Sequence, residues 1–180
     1  MIKPFKTTLV AAGLLAALFN TSAQAAIGDA LVASGGNILI TFEGSDAGFD
    51  SLIRVNGGTE IFPNHSTIIG TTVDLGFFAA GTVLDISLRV LNTGDIWHTG
   101  AAAGNADGLA HANVVYNFNG NAGRTYVGFE DLFGGGDMDY NDHQFSFTNV
   151  ANPVPEPETY ALMLAGLGVM GFVARRRKAA

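Results

Sequence analysis

The chain is predicted to fold as an all-β domain, an antiparallel β-sandwich or jelly roll, set between an N-terminal signal peptide and a single C-terminal transmembrane sorting helix. Three observations predict the domain. From Thr82 to Leu91 the residues alternate, with Leu84, Ile86, Leu88 and Val90 facing one side and Asp85, Ser87 and Arg89 the other. That is the period-two pattern of a half-buried strand. Asn56-Gly57-Gly58 separates the apolar runs Leu52 to Val55 and Thr59 to Phe62, a hairpin signal because Asn and Gly tolerate the left-handed turn. Between Ala26 and Pro153 no segment has helical length and period.

In chain order, Ile38, Ile40 and Phe42 alternate with Leu39, Thr41 and Glu43 to make an early strand, and the hairpin follows. Further strands are expected at Thr67 to Leu75, Thr82 to Leu91, Ala112 to Phe118, Thr125 to Phe129 and Gln144 to Val150. Turn chemistry separates them at Asn92-Thr93-Gly94-Asp95, Asp107-Gly108 and Asn119-Gly120-Asn121. Some eight short strands with frequent turns and no internal repeat point to a sandwich and away from a solenoid.

The two ends read as an address. Lys3 and Lys6, the apolar stretch Leu9 to Phe19 and Ala23-Gln24-Ala25 have the charge, length and small-residue site of a secretory signal, with cleavage expected after Ala25. The domain then occupies 26–152. A Pro/Glu linker follows at 153–158, and 159–180 hold an apolar helix and a basic tail. The apolar run Tyr160 to Ala174 has 15 residues, roughly 22 Å of helix at 1.5 Å per residue. That is short of the ~30 Å hydrocarbon core. Arginines that snorkel to the headgroups make up part of the difference. Arg175, Arg176, Arg177 and Lys178 are expected to stay cytoplasmic, which places the domain outside. Gly166-Leu-Gly168-Val-Met-Gly171 spells a dinucleotide-binding GxGxxG, but it follows no strand and lies within the apolar helix, so it is set aside.

Charge narrows the function further. Between Ala26 and Pro153 stand three arginines and fourteen acidic residues, a net of −11, against −7 for the whole chain. Such a surface repels nucleic acid and attracts cations, so no nucleic-acid partner is expected. There is no cysteine. The exported domain must therefore be held by its core or by a metal, and thiol catalysis is excluded.

Carboxylates concentrate in one loop. Glu130, Asp131, Asp137, Asp139 and Asp142, with Asn141 among them, fall within thirteen residues that contain no Lys or Arg. Two like charges ~5 Å apart at an effective dielectric near 20 repel by roughly 3 kcal/mol. A folded loop gathering several of them needs a cation, a proton or an outward splay. Asp137-x-Asp139-x-Asn141 resembles the first half of an EF-hand loop, yet Asp142 stands where that pattern has Gly and no Glu follows at position twelve. An oxygen-ligated Ca²⁺ is expected in preference to Mg²⁺, with Gly134-Gly135-Gly136 letting Glu130 and Asp131 approach Asp137 and Asp139. Asn105, Asp107 and His111 are read as an Asx turn before a strand, with a second ligand group or completion of the first as the alternatives. Trp97 and Tyr140 are read as core or rim aromatics and His143 as a core-edge residue beside Phe145 and Phe147.

Catalysis is not expected. The chain has no GxSxG elbow, no HExxH and no thiol, and its four histidines lie in unrelated contexts. A glycoside-acting carboxylate pair is the least favoured alternative.

Two resemblances add to this reading. Pro155-Glu156-Pro157, the apolar helix and Arg175 to Lys178 together resemble the PEP-CTERM sorting signal of Gram-negative bacteria that make exopolysaccharide. The resemblance implies export by the secretion machinery, insertion in the inner membrane through the helix and processing by exosortase. The destination implied is the cell surface or extracellular matrix. Second, G-F-E-D-L-x-G-G-G-D-x-D-Y-N-D, with Asn37 to Glu43, Trp97-His98-Thr99-Gly100 and Asn105 to Ala112 upstream, resembles a bacterial domain family of unknown function, the 4114 family. It implies an exported β-rich module with a calcium-binding polar site at Glu130, Asp131, Asp139, Asn141 and Asp142. The expected function is a non-catalytic, calcium-binding surface or matrix module. The alternative is a calcium-dependent, lectin-like protein that binds exopolysaccharide.

Overall fold

The structure is a computed structural model and describes residues 25–121, 123–151, 163–168 and 170. Residues 1–24, Pro155, Glu156, Pro157 and Arg175, Arg176 and Arg177 lie outside the described residues, and with them the Pro-Glu-Pro and basic parts of the sorting motif and all of the expected signal peptide but Ala25. Residues 163–168 and 170 are helical. Among the described residues no helix is long and apolar enough to cross a membrane.

The domain is built almost wholly of antiparallel strands. They are β1 (Ala25–Ile27), β2 (Leu31–Ala33), β3 (Gly36–Gly44), β4 (Ser51–Val55), β5 (Thr72–Phe78), β6 (Val83–Leu84), β7 (Ile86–Val90), β8 (Ile96–His98), β9 (Ala112–Val115), β10 (Arg124–Phe129), β11 (His143–Thr148) and β12 (Val150–Ala151). One six-stranded sheet has the order β1-β9-β10-β11-β3-β5, and two three-stranded sheets have the orders β12-β2-β6 and β4-β7-β8. Ile38, Ile40 and Phe42 of β3, Val127 and Phe129 of β10 and Phe145 and Phe147 of β11 point to one face of the large sheet. They meet Leu31 and Leu84 from one small sheet and Ile53, Leu88 and Trp97 from the other in a single core. Each large side chain so buried contributes about 1.5–3 kcal/mol. The layered, antiparallel arrangement follows from the alternation in the sequence.

Several predicted boundaries move, each for a local reason. The run Thr82 to Leu91 keeps its buried face, but Asp85 interrupts it. The Asp85 backbone leaves the ladder to bond Asn56, accepting from its N–H at 2.8 Å and donating to its Oδ1 at 2.7 Å. The chain thereby passes from the β2 sheet to the β4 sheet. The run Gln144 to Val150 breaks at Asn149, whose left-handed φ of 55° carries β12 across to the other layer. The hairpin turn forms, with Asn56 at φ 47° and Gly57 at φ 68°, but its second arm reduces to one bridge, Ile53 to Ile61. β5 begins only at Thr72, because 67–71 are spent in turns. The strands β1, β2 and β8 were not foreseen, being three residues each and too short to show a period.

β10 and β11 are adjacent and in register from Arg124↔Thr148 to Phe129↔His143. Residues 130–142 join them. Connections between hairpin strands usually run to 2–5 residues, so this one is long for its place. It is the acidic loop.

Candidate metal centre

The loop is shaped by its backbone. Gly134, Gly135 and Gly136 adopt φ of 84°, 83° and 54°, and the non-glycine residues Met138 and Tyr140 follow at 60° and 56°. The left-handed region costs roughly 1–2 kcal/mol for a residue with a Cβ. The surroundings hold Tyr140 there: its ring is buried and its N–H donates to the Glu130 carboxylate. A Cβ on Gly136 would lie 2.7 Å from Glu130 Oε2, so a side chain there would displace the carboxylate as well as strain the left-handed backbone.

Coiling the chain this way brings Glu130, Asp137 and Asp139 together. One carboxylate oxygen from each lies within 4.8 Å of the others. Glu130 forms the floor, 1 % exposed, with its N–H fixed to the His111 carbonyl at 2.9 Å. Asp137 and Asp139 close over it from the solvent side. Asn141 does not join the triad as a side chain. It donates to Asp139 from its side-chain amide and, at 3.2 Å, from its backbone N–H, orienting that carboxylate.

Asp131 and Asp142 form a second group at the base of the loop. The Asp131 N–H donates to Asp142 Oδ2 at 2.9 Å. The Asp131 carbonyl accepts from Trp97 Nε1 at 2.9 Å, and the Asp142 carbonyl accepts from Ser45 Oγ at 2.6 Å. Asp131 Oδ2 is buried with no hydrogen-bond partner. Asp131, expected to approach Asp137 and Asp139, is thus placed instead against Asp142. A pocket of about 300 Å³ opens beside both groups, lined by Glu130, Asp131, Asp137, Asp142, Leu132, Gly48 and Phe49.

Electrostatics follow from this crowding. Burial and then the neighbouring Asp142 push the Asp131 carboxyl up to about 7. Burial also raises Glu130 and Asp142, with adjacent carboxylates adding to the effect. No guanidinium answers them among the described residues: Arg54 and Arg89 are held by Glu60 and Arg124 by Glu43, each at 2.6 Å.

The segment Asn105 to His111 braces the loop. Asp107 makes the expected Asx turn, accepting from the Leu109 N–H at 3.0 Å. Its other oxygen accepts from the Gly134 N–H at 2.9 Å and from His111 Nε2 at 2.8 Å. Burial alone would raise the Asp107 carboxyl, but these donors outweigh it and hold it at about 2. His111 also bonds the Glu130 carbonyl through Nδ1 at 3.1 Å and stacks on Trp97 with ring centroids 3.8 Å apart. Asn105 is consumed by the backbone of His98 and Leu109. Trp97 is fully buried and Tyr140 nearly so, as core aromatics should be. His143 is deeper than the core edge, fully buried, with Nδ1 on Ser51 Oγ at 2.9 Å.

Gly48, Phe49 and Ser45 were invisible as site residues in the sequence. They reach the loop from about 80 to 100 positions away, and nothing local marks them. The exposure of Phe133 at the loop tip, 66 %, was equally unmarked.

Residues 153–178 match the PEP-CTERM protein-sorting motif. No curated protein and no solved structure matches the chain. A β-rich domain that ends in this motif belongs to an exported protein, anchored in the membrane and then processed by exosortase.

Proposed function

We propose that the processed domain is a non-catalytic, calcium-binding module of the cell surface or extracellular matrix. The convergence of Glu130, Asp137 and Asp139 within 4.8 Å carries the reading. Ca²⁺ accepts six to eight oxygens in flexible geometry, and water in the adjoining pocket supplies what the carboxylates do not. The resemblance of the loop to the 4114 family supports it. So does the pairing of Arg54, Arg89 and Arg124 elsewhere, which leaves no guanidinium for the loop among the described residues and makes a hard cation the available counter-charge. The apolar side chains of Met163, Leu164, Leu167 and Met170 are exposed, which suits the lipid-facing helix expected of the sorting tail before processing.

The non-catalytic reading is supported by where the histidines lie. The Ser51–His143 pair has nucleophile–base geometry, but both residues are buried and burial lowers His143 to about 3. A base needs access to substrate. His111 is spent on Asp107 and the Glu130 carbonyl.

The test is thermal melting of the full chain with Ca²⁺ or chelator. Saturation at a hundred times the dissociation constant should add about 2.7 kcal/mol. Asp137→Asn with Asp139→Asn should abolish the gain. Calorimetry that detects no Ca²⁺ binding at millimolar concentration would sink the proposal. A lectin-like role is the second reading, favoured by Phe49 in the pocket wall and by the exposed Phe133 at the loop tip. A glycan array probed with and without chelator separates the two.

A further inference from the structure

The six polar residues of the loop do not form one site. Glu130, Asp137 and Asp139 converge on one point, whereas Asp131 and Asp142 meet where the loop leaves β10 and enters β11. We propose that Asp131 and Asp142 hold a second cation at the loop base, so that the loaded loop carries two hard, oxygen-ligated ions. This inference rests on the calcium reading above.

The observation that carries it is Asp131 Oδ2. The residue is 3 % exposed and lines the pocket, yet this oxygen has no hydrogen-bond donor. An unpaired buried polar atom is costly, and more so when it is charged. The backbone of Asp131 is tightly employed, its N–H on Asp142 and its carbonyl on the Trp97 indole, which anchors the residue at the loop base. On Asp142, Oδ2 takes the Asp131 N–H, and the two carboxyl groups lie within hydrogen-bond reach of each other, facing one point as two acceptors once both are ionised. The base therefore offers two carboxylates with spare lone pairs at the wall of a pocket of about 300 Å³, which has room for water to complete a coordination shell.

Charge argues the same way. The loop holds five carboxylates, so one divalent ion leaves −3 in a partly buried hairpin connection and two leave −1. Like charges gathered this closely repel one another. The two ions would have separate structural effects. The outer one closes the glycine coil onto Glu130, and the inner one fastens the loop to the strand ends and, through Asp131, to Trp97 of β8.

The experiment is Ca²⁺ titration calorimetry on the full chain in detergent, counting ions per chain. Wild type should bind two, and Asp131→Asn should bind one. The Trp97 near-ultraviolet dichroism confirms that the variant is folded. One ion per wild-type chain overturns the second site and leaves the proposed function standing, and this arm needs no variant. Two ions with Asp131→Asn folded and still binding two also overturn the assignment. No binding at all overturns both readings.

Discussion

Gly128 of β10 lies directly beneath the backbone carbonyl of Tyr140, so that a Cβ on Gly128 would overlap the Tyr140 oxygen. The acidic loop folds back onto its own strand there, and the close approach is possible because position 128 has no side chain. The same fold-back places the Tyr140 N–H on the Glu130 carboxylate.

Gly128→Ala should therefore push the loop off the strand. The methyl meets backbone, which cannot rotate away, so overpacking of about 1–3 kcal/mol is expected. Thermal melting should show the loss, and calorimetry should show weaker Ca²⁺ binding, because Glu130 is no longer held facing Asp137 and Asp139. Melting and binding unchanged from wild type would show that the contact is not needed.

Asp107→Ala should affect the loop without touching a carboxylate of either group. It strips acceptors from the exposed Gly134 N–H, where water can substitute, and from the buried His111, where an unsatisfied nitrogen costs about 1–3 kcal/mol. A lower melting temperature and faster hydrogen exchange at Gly134 are the expected readouts. Exchange unchanged at Gly134 would mean that another group holds the glycine coil.

The pH dependence of stability in chelator follows from Asp131. Its folded carboxyl titrates at about 7, above the ordinary aspartate value of 3.8. The folded state therefore holds a proton that the unfolded chain has lost. That contribution is fully present below about 4 and disappears as pH rises through about 7. Glu130 and Asp142, also raised, act in the same direction. The ion-free protein should thus melt lower at pH 8 than at pH 5. Ca²⁺ competes with those protons, so its stabilisation should grow over the same interval. A flat melting profile in chelator from pH 5 to 8 would contradict the buried placement of Asp131.

Trp97→Phe should remove one hydrogen bond at the loop base while keeping most of the ring packing. A loss of about 0.5–1.5 kcal/mol is expected from the bond to the Asp131 carbonyl. The proposed inner site should weaken and the outer one should not. Equal weakening of both would show that the loop responds as one unit.

Much of the fold was legible because its signals are local. The alternation at Leu84, Ile86, Leu88 and Val90 predicts a buried face wherever the strand ends up. Asn56-Gly57 predicts a left-handed turn from two residues. The switches between layers at Asp85 and Asn149 were not legible, since each depends on a partner far along the chain. Asp85 needs Asn56, and Asn149 donates to the Asn37 carbonyl at 2.6 Å.

The candidate site divides in the same way. The sequence alone determined that five carboxylates lie in one arginine-free loop of an exported, acidic chain, because residue type and spacing suffice for a charge argument. It also determined the sorting tail, whose three parts are contiguous. Only the tertiary structure decided which carboxylates meet. Glu130 reaches Asp137 and Asp139 because five left-handed residues coil the chain back over Gly128, whereas Asp131 is held away by Trp97 and turned toward Asp142. Spacing limits how far apart two side chains can be, but backbone handedness and long-range hydrogen bonds set which of them share an ion.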